Sequence, residues 1–177
     1  GDTLKSKISE TEPFTPLSVY ALSKVSSFYI CEYFKKVHNL KVFGGIFFNH
    51  ESERRTPEYV TRKITKSAVR IFLKKQNKLK LGDINAKIDW GYAKDYVTAA
   101  YKMMQMSKPD FFVIGTGKAY SIQYFAKKSF EYLGLNYKKY LKIDKKLIRK
   151  VKNKTLIADT RKAKKLFKFI HTTSLDK

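Results

Sequence analysis

The sequence predicts an α/β layered fold with a parallel sheet. Apolar runs of strand length alternate with segments in which apolar residues recur at helical spacing. The chain has 177 residues, of which 43% are hydrophobic and 15% aromatic. It is therefore long enough to bury a core, and we expect one globular unit and not a disordered chain.

The first part of the chain is expected to contain a loop, a long helix and a strand. Residues 1–15 are polar and rich in turn formers, which favours a loop. Ser18 can cap a helix running to about His38, because apolar residues then recur every three or four positions. The run 42–48 is apolar on both faces, as expected of a buried parallel strand.

The same alternation continues to the end of the chain. Gly134 is expected to close one of the later helices. The pattern predicts helices over about 57–74, 94–105, 121–132 and 160–167, and strands over about 79–81, 111–114 and 140–144.

A net charge of +23 is the strongest feature of the composition. Taken alone, it would indicate a nucleic-acid or anionic-membrane partner. All but six of the 38 basic residues are lysine, however, whereas bidentate recognition of phosphates and guanines favours arginine. We interpret the charge, about half of which lies in 138–168, as a solvated lysine face. A dedicated nucleic-acid surface is the alternative.

The sequence gives no support for membrane, disulfide or metal chemistry. No run approaches the roughly 18 apolar residues of a membrane span, and no signal pattern is present, so we expect a cytoplasmic protein. Cys31 has no second cysteine to pair with. The three histidines, His38, His50 and His171, lie far apart, so no zinc site is expected.

The best candidate for a phosphate-binding loop fails. Gly115-Thr116-Gly117 lies between a predicted strand and a predicted helix, but Tyr120 occupies the position of the third glycine. If the protein uses a dinucleotide, the loop that binds its pyrophosphate must lie outside these residues.

A Tyr-x-x-x-Lys pair, Tyr20 and Lys24, places a phenol and an ammonium one helical turn apart on the same face. A nearby ammonium favours the phenolate, so such a pair can supply a general base. The spacing alone carries little information, because it recurs at Tyr59/Lys63 and at Tyr124/Lys128.

A longer set of segments selects the first pair. These segments are Phe14-Thr15-Pro16, residues 18–24, Phe47-Phe48-Asn49-His50-Glu51-Ser52, Arg54-Arg55, Tyr59-Val60-Thr61-Arg62-Lys63-Ile64 and residues 89–97. In this order they resemble the GDP-mannose 4,6-dehydratases, members of the extended short-chain dehydrogenase/reductase family. The resemblance covers the chain from residue 1 to about 166.

The resemblance implies an NADP-dependent lyase that converts GDP-mannose to GDP-4-dehydro-6-deoxymannose. It implies that Tyr20 is the catalytic base and that Lys24 tunes it and holds the nicotinamide ribose. It also implies that Tyr20, Lys24, His50 and Arg55 bind NADP. Contacts with the GDP-sugar are implied for Asn49, Val60, Lys63 and Arg149.

The resemblance also implies an organisation. The chain would be the C-terminal part of one such domain, with 1–48 and 88–116 in a Rossmann-type sheet and 49–87 and 117–177 in a small α/β substrate-binding region. The N-terminal dinucleotide-binding half, and a Thr and a Glu of the catalytic group, would precede residue 1. This partial chain is then expected to be inactive alone, and the full-length protein to form a dimer or tetramer.

Three positions depart from the family pattern. Ile88 stands where the family carries Arg, Lys152 where it carries Glu, and Thr56 where it carries Gly. They leave two alternatives open. One is another nucleotide-sugar epimerase, dehydratase or reductase, and the other is a basic, non-catalytic protein that binds a polyanion.

Overall fold

The computed structural model describes residues 6–148 and 155–176, which form five helices and ten short strands. The helices are α1 (Val19–Val37), α2 (Val60–Phe72), α3 (Ala93–Met104), α4 (Ile122–Glu131) and α5 (Arg161–Phe167), with 3-10 turns at Tyr137–Lys139 and Lys145–Leu147. The strands are β1 (Lys7–Ile8), β2 (Gly44–Phe47), β3 (Asn49–Glu51), β4 (Leu79–Leu81), β5 (Lys87–Ile88), β6 (Trp90–Tyr92), β7 (Phe111–Ile114), β8 (Tyr120–Ser121), β9 (Leu141–Ile143) and β10 (Ile157–Ala158).

Strand pairing is mainly parallel, which confirms the predicted fold class. The pairs β1–β10, β2–β7, β3–β6 and β4–β9 are parallel, and β5–β8 is antiparallel. Parallel partners need crossover connections, which here contain helices. The longest pair aligns Gly44 with Phe111 and Phe47 with Ile114.

The two strands of this longest pair differ in burial. All four residues of β7 are buried, whereas β2 alternates between half-buried and exposed positions, and Phe47 is 39% exposed. The expectation that 42–48 is buried on both faces is therefore wrong. Within the described residues, packing covers both faces of β7 but only one face of β2.

The hydrophobic core consists of two clusters. The first joins α2, β4 and α4, with Ile64, Leu79 and Phe130 almost completely buried. The second joins α3, β7 and α5 through Tyr96, Phe112 and Ala163 and their neighbours. Helix α5 therefore packs in the same cluster as β7. The division of the chain into a sheet part and a substrate-binding part stays a prediction.

Helix α1 begins as predicted, because the Ser18 side chain accepts a hydrogen bond from the Ala21 amide at 3.1 Å. None of its residues is buried. It contacts the sheet through Phe28, whose ring centroid lies 4.5 Å from that of Phe111. The helix therefore presents much of its apolar surface to solvent.

The C-terminal tail, residues 168–176, is fixed at two points. The Asp95 carboxylate on α3 accepts hydrogen bonds from the amides of Thr172 and Thr173 and from the Thr172 hydroxyl. Further on, Asp176 accepts a 2.7 Å hydrogen bond from the Tyr124 hydroxyl on α4. The tail therefore bridges α3 and α4.

Candidate functional site

Strand β3 carries two of the candidate residues, Asn49 and His50, and β6 fixes its position. The pair aligns Asn49 with Trp90 and His50 with Gly91. Glycine is required at position 91 because an added Cβ would lie 2.4 Å from the Tyr96 ring. Strand β3 follows β2 after a single residue, so both candidates lie at the carboxyl end of the sheet strand.

The His50 ring is oriented by its own strand and by Tyr96. Its Nδ1 lies 2.9 Å from the Phe48 carbonyl oxygen, which can only accept, so Nδ1 carries the proton and donates. The ring also lies 5.0 Å from the Tyr96 ring. This contact leaves Nε2 as the ring nitrogen that can meet a ligand.

Tyr96 supports this strand from α3. Its hydroxyl donates to the Asn49 carbonyl oxygen at 3.4 Å. Burial raises the pKa of Tyr96 far above its ordinary value, and the nearby carboxylates of Asp89 and Asp95 raise it further. The phenol therefore stays protonated and acts as a fixed donor beneath β3.

Arg55 lies in the turn between β3 and α2, and its guanidinium is held on two sides. Its Cζ lies 3.5 Å from the centroid of the Tyr59 ring. Its Nε lies 3.2 Å from Oε2 of Glu51, which also accepts a 2.6 Å hydrogen bond from the Thr61 hydroxyl. The Nε–H is buried and makes no well-aligned hydrogen bond with any described residue, so its contact with Glu51 is ionic.

Two further candidates, Val60 and Lys63, lie in the first turn of α2 and are half-buried. Helix α2 begins at Val60 and not near 57, because the Tyr59 amide donates to the Thr56 carbonyl and closes a turn there. Asn49, His50, Arg55, Val60 and Lys63 therefore all lie on one continuous segment, the β3–α2 connection, which we define as β3, the turn after it and the first turn of α2. Arg149 and Lys152 lie outside the described residues.

Tyr20 and Lys24 form a contact on the exposed surface of α1. The Lys24 Nζ lies 5.5 Å from the centroid of the Tyr20 ring, and Tyr20 is 71% exposed. Among the described residues, neither side chain hydrogen-bonds to β3. The structure therefore confirms that the two groups share a helix face, without joining them to the other candidates by a direct contact.

The other two Tyr-x-x-x-Lys pairs are engaged differently. The Tyr59 ring is covered by the Arg55 guanidinium. The Tyr124 hydroxyl donates to Asp176, and this hydrogen bond raises the pKa of Tyr124. A phenol that donates to a carboxylate is a poor base, and the Tyr59 ring face is covered by a guanidinium. Of the three phenols, Tyr20 is the one with neither contact among the described residues.

Asp89 is a buried carboxylate that hydrogen-bonds to two distant segments of the chain, and the sequence analysis did not single it out. It is 1% exposed, and its Oδ1 accepts from the Thr116 amide and hydroxyl. Its Oδ2 accepts from the amides of Gly117 and Ala158. Asp89 begins the segment 89–97 that carries the family resemblance, but its sequence context does not indicate these buried hydrogen bonds.

The Asp89 network also explains why the Gly115-Thr116-Gly117 segment is not a phosphate loop. A phosphate needs backbone N–H groups pointing at it. Here the amides of Thr116 and Gly117 are taken by the Asp89 carboxylate. Ile88, the neighbour of Asp89, pairs with Tyr120 in the short antiparallel ladder.

The described residues contain no group of three His, Cys, Asp or Glu side chains placed to hold a metal ion. None of their helices combines the length and the apolar character that crossing a membrane requires.

Solved structures define the class of fold. The structure superimposes on RMD from Pseudomonas aeruginosa (TM-score 0.87, 15% identity, covering 94% of this chain and 55% of that chain). It also superimposes on dTDP-glucose 4,6-dehydratase from Bacillus anthracis, with a TM-score of 0.86 and 19% identity, covering 98% of this chain and 53% of that chain. For UDP-glucose 4-epimerase from Thermotoga maritima the TM-score is 0.83 and the identity 25%, covering 99% of this chain and 56% of that chain. The chain therefore has the Rossmann-type fold of short-chain dehydrogenase/reductase dehydratases and epimerases, as predicted.

Sequence comparison then gives the family. The family profile described as GDP-mannose 4,6 dehydratase matches residues 1–177, so the chain belongs to that family. GDP-mannose 4,6 dehydratase 1 of Arabidopsis thaliana is 43% identical over 158 residues, covering 89% of this chain and 44% of the relative. GDP-mannose 4,6 dehydratase of Dictyostelium discoideum is 40% identical over 183 aligned positions, covering 94% of this chain and 51% of the relative. The chain thus spans about half the length of the curated relatives it matches.

Proposed function

We propose that the whole protein to which this chain belongs catalyses the NADP-dependent dehydration of GDP-mannose to GDP-4-dehydro-6-deoxymannose. The observation that carries the proposal is the family match over the full chain, with relatives named as GDP-mannose 4,6 dehydratases at 40–45% identity. The activity is assigned to the whole protein because this chain spans only about half of those relatives.

The residues near β3 fit a phosphate-bearing cofactor. The Arg55 guanidinium is fixed in orientation by Tyr59 and Glu51, and its two Nη groups make no hydrogen bond with any described residue. His50 presents Nε2 on the same connection. When bound, NADP supplies the hydride acceptor that oxidises the sugar and the hydride that is later returned. In this proposal, His50 and Arg55 bind and orient it.

The roles proposed for α1 follow from the Tyr20–Lys24 contact. Tyr20 removes the proton of the sugar hydroxyl that is oxidised, and the Lys24 ammonium stabilises the phenolate. Lys24 also holds the ribose beside the nicotinamide. The exposed position of both side chains leaves room for a cofactor and a sugar to approach them.

The position of Tyr20 along the strand direction supports a cleft shared by Tyr20 and Asn49. Helix α1 leads directly into β2, so in an α/β crossover it runs antiparallel to that strand. Phe28 packs at Phe111, the first residue of β7. Tyr20 precedes Phe28 by eight residues, about 12 Å of helix, and β7 rises about 10 Å to Ile114. Tyr20 is therefore expected at the same sheet edge as Asn49.

The remaining binding roles are proposed from the family match. Asn49, Val60 and Lys63 would contact the GDP-sugar from the β3–α2 connection, where Lys63 offers a positive charge to the diphosphate. Arg149 would contribute from outside the described residues. Ile88 provides no charge at its position, so the diphosphate would depend on the other basic groups.

We also propose that the whole protein is a cytoplasmic homo-oligomer. A row of exposed apolar side chains on α3, formed by Val97, Tyr101 and Met104, supports association, since exposed apolar patches mark contact surfaces. Light scattering of the purified full-length protein would give a dimer or tetramer mass. A monomer over the micromolar range would contradict this part of the proposal.

The decisive experiment supplies GDP-mannose and NADP to the full-length protein and to its Tyr20→Phe and Lys24→Met variants. General acid–base catalysis contributes about 10²- to 10⁴-fold, so Tyr20→Phe should lower kcat by at least about 100-fold. Tyr124→Phe is the matched control, because Tyr124 belongs to a second Tyr-x-x-x-Lys pair that binds Asp176. Its kcat should stay near that of the wild type.

Product analysis separates the alternatives. A dehydratase gives a 4-keto-6-deoxy sugar that has lost one water, whereas an epimerase gives a product of unchanged mass. Wild-type protein that binds NADP and yet forms no dehydrated product from GDP-mannose would refute the proposal. Salt-sensitive binding to duplex DNA by the same preparation would favour the polyanion-binding alternative.

A further inference from the structure

We propose that Tyr59 is a positioning residue that holds the Arg55 guanidinium flat, so that its terminal amino groups are presented to a phosphate group of the bound dinucleotide. This inference rests on the proposed function, since the phosphate is taken to be one of NADP's. It adds a residue whose role follows from contacts within this chain.

Stacking on Tyr59 fixes the plane of the guanidinium. A distance of 3.5 Å from Cζ to the ring centroid is van der Waals contact between two flat groups. All five N–H bonds of a guanidinium lie in its plane, so an aromatic face can cover it without blocking a donor. Tyr59 therefore removes rotational freedom and leaves the hydrogen-bonding capacity intact.

Glu51 fixes which edge of that plane is left open. Its Oε2 lies 3.2 Å from Nε of Arg55 and is itself held by the hydroxyl of Thr61, which is 4% exposed. With the Nε side facing Glu51, the opposite end carries the two Nη groups. Neither makes a hydrogen bond with any residue that the structure describes, and the side chain is 29% exposed.

Backbone turns bring the two side chains together. The Arg55 amide donates to the Ser52 carbonyl at 3.1 Å, and the Tyr59 amide donates to the Thr56 carbonyl at 3.2 Å. The contact between Arg55 and Tyr59 is therefore built outside a helix, at the entrance to α2. Two parallel N–H donors at a fixed angle are the arrangement that binds a phosphate in a bidentate manner.

The test uses the full-length protein and measures the NADP dissociation constant by isothermal titration calorimetry. Arg55→Met should weaken NADP binding by about 10- to 100-fold, as expected for hydrogen bonds to a charged group. Tyr59→Leu should weaken it by about 3- to 10-fold. Tyr59→Phe keeps the aromatic face and should restore wild-type affinity. Tyr132→Leu, at a position 91% exposed, is the surface control and should change nothing.

A double-mutant cycle separates positioning from a structural role. If Tyr59 acts through Arg55, the Arg55→Met/Tyr59→Leu protein should bind NADP no more weakly than Arg55→Met alone. Tyr59→Leu should also raise the KM for NADP without lowering kcat at saturating NADP. Tyr59 is 50% exposed, so its variants should fold, and Tyr59→Gln replaces Tyr59→Leu if the latter aggregates.

The outcomes are distinguishable. Additive losses in the cycle, or wild-type affinity for Tyr59→Leu alongside a weakened Arg55→Met, would overturn the positioning role and leave the proposed function standing. A wild-type protein with no affinity for NADP would overturn both.

Discussion

Replacing Asp89 by Asn is the most informative test of the packing that supports the site. In the wild type, the carboxylate accepts four hydrogen bonds while 1% exposed. An amide has one accepting oxygen, and its NH₂ group must face either Thr116 or the pair of amides from Gly117 and Ala158. The Thr116 hydroxyl can rotate to accept a proton, but a backbone amide cannot.

The magnitude follows from the better of these two orientations. With the NH₂ group towards Thr116, one buried amide loses its acceptor, at about 1.5–3 kcal/mol, and the bonds that remain are no longer charge-assisted. Relief of the cost of burying a charge offsets part of this loss. We expect Asp89→Asn to lower the free energy of unfolding by about 2–4 kcal/mol, a large part of the 5–15 kcal/mol typical of a domain.

Urea unfolding of the full-length protein would measure this loss as a lower midpoint at an unchanged m-value. The control is Asp83→Asn, an exposed carboxylate that accepts a single hydrogen bond from the Asn85 amide. It should change the free energy of unfolding by no more than about 0.5 kcal/mol. If Asp89→Asn costs less than about 1 kcal/mol, the described network does not hold these three segments together.

Three further changes test other contacts. Arg161 hydrogen-bonds to Asp159 and lowers the pKa of that carboxyl, so its stabilisation is complete above the ordinary Asp pKa and is lost as pH falls through the folded value. Asp159→Asn should therefore lower the urea midpoint more at pH 7 than at a pH low enough to protonate the carboxyl, and an equal loss under the two conditions would contradict this. Tyr124→Phe removes the bond to Asp176 and should speed proteolysis within 168–176 relative to the rest of the chain, whereas unchanged cleavage would argue against the bridge. Phe112→Ala, at a side chain with no exposure, should cost about 3–5 kcal/mol in calorimetry, and a loss below about 1 kcal/mol would contradict the assigned core.

The sequence predicts the long elements well, because their signal is local. The five helices and the strands β2, β4, β7 and β9 lie close to where periodicity places them. The remaining strands have two or three residues and exist through partners far along the chain. Lys7–Ile8, for example, pairs with Ile157–Ala158, 150 residues later. No local pattern encodes such a pairing.

The candidate site can be predicted only in part from the sequence, because some of its contacts depend on residues that local patterns do not relate. The spacing of Tyr20 and Lys24 predicts their contact, because a helix fixes that geometry. The stacking of Arg55 on Tyr59 has the same four-residue spacing but depends on a turn at Thr56 that helical periodicity does not predict. The burial of Asp89 depends on three segments that meet only in the folded chain.

The tail that joins α3 to α4 has a mechanical consequence. Enzymes that enclose two ligands often rotate one part of the molecule against another, with hinges in the connecting segments. Here Asp95 ties the tail to α3, and Asp176 ties it to Tyr124 on α4. Rotating α4 away from α3 would stretch or break these bonds, so the tail resists relative movement of these two helices.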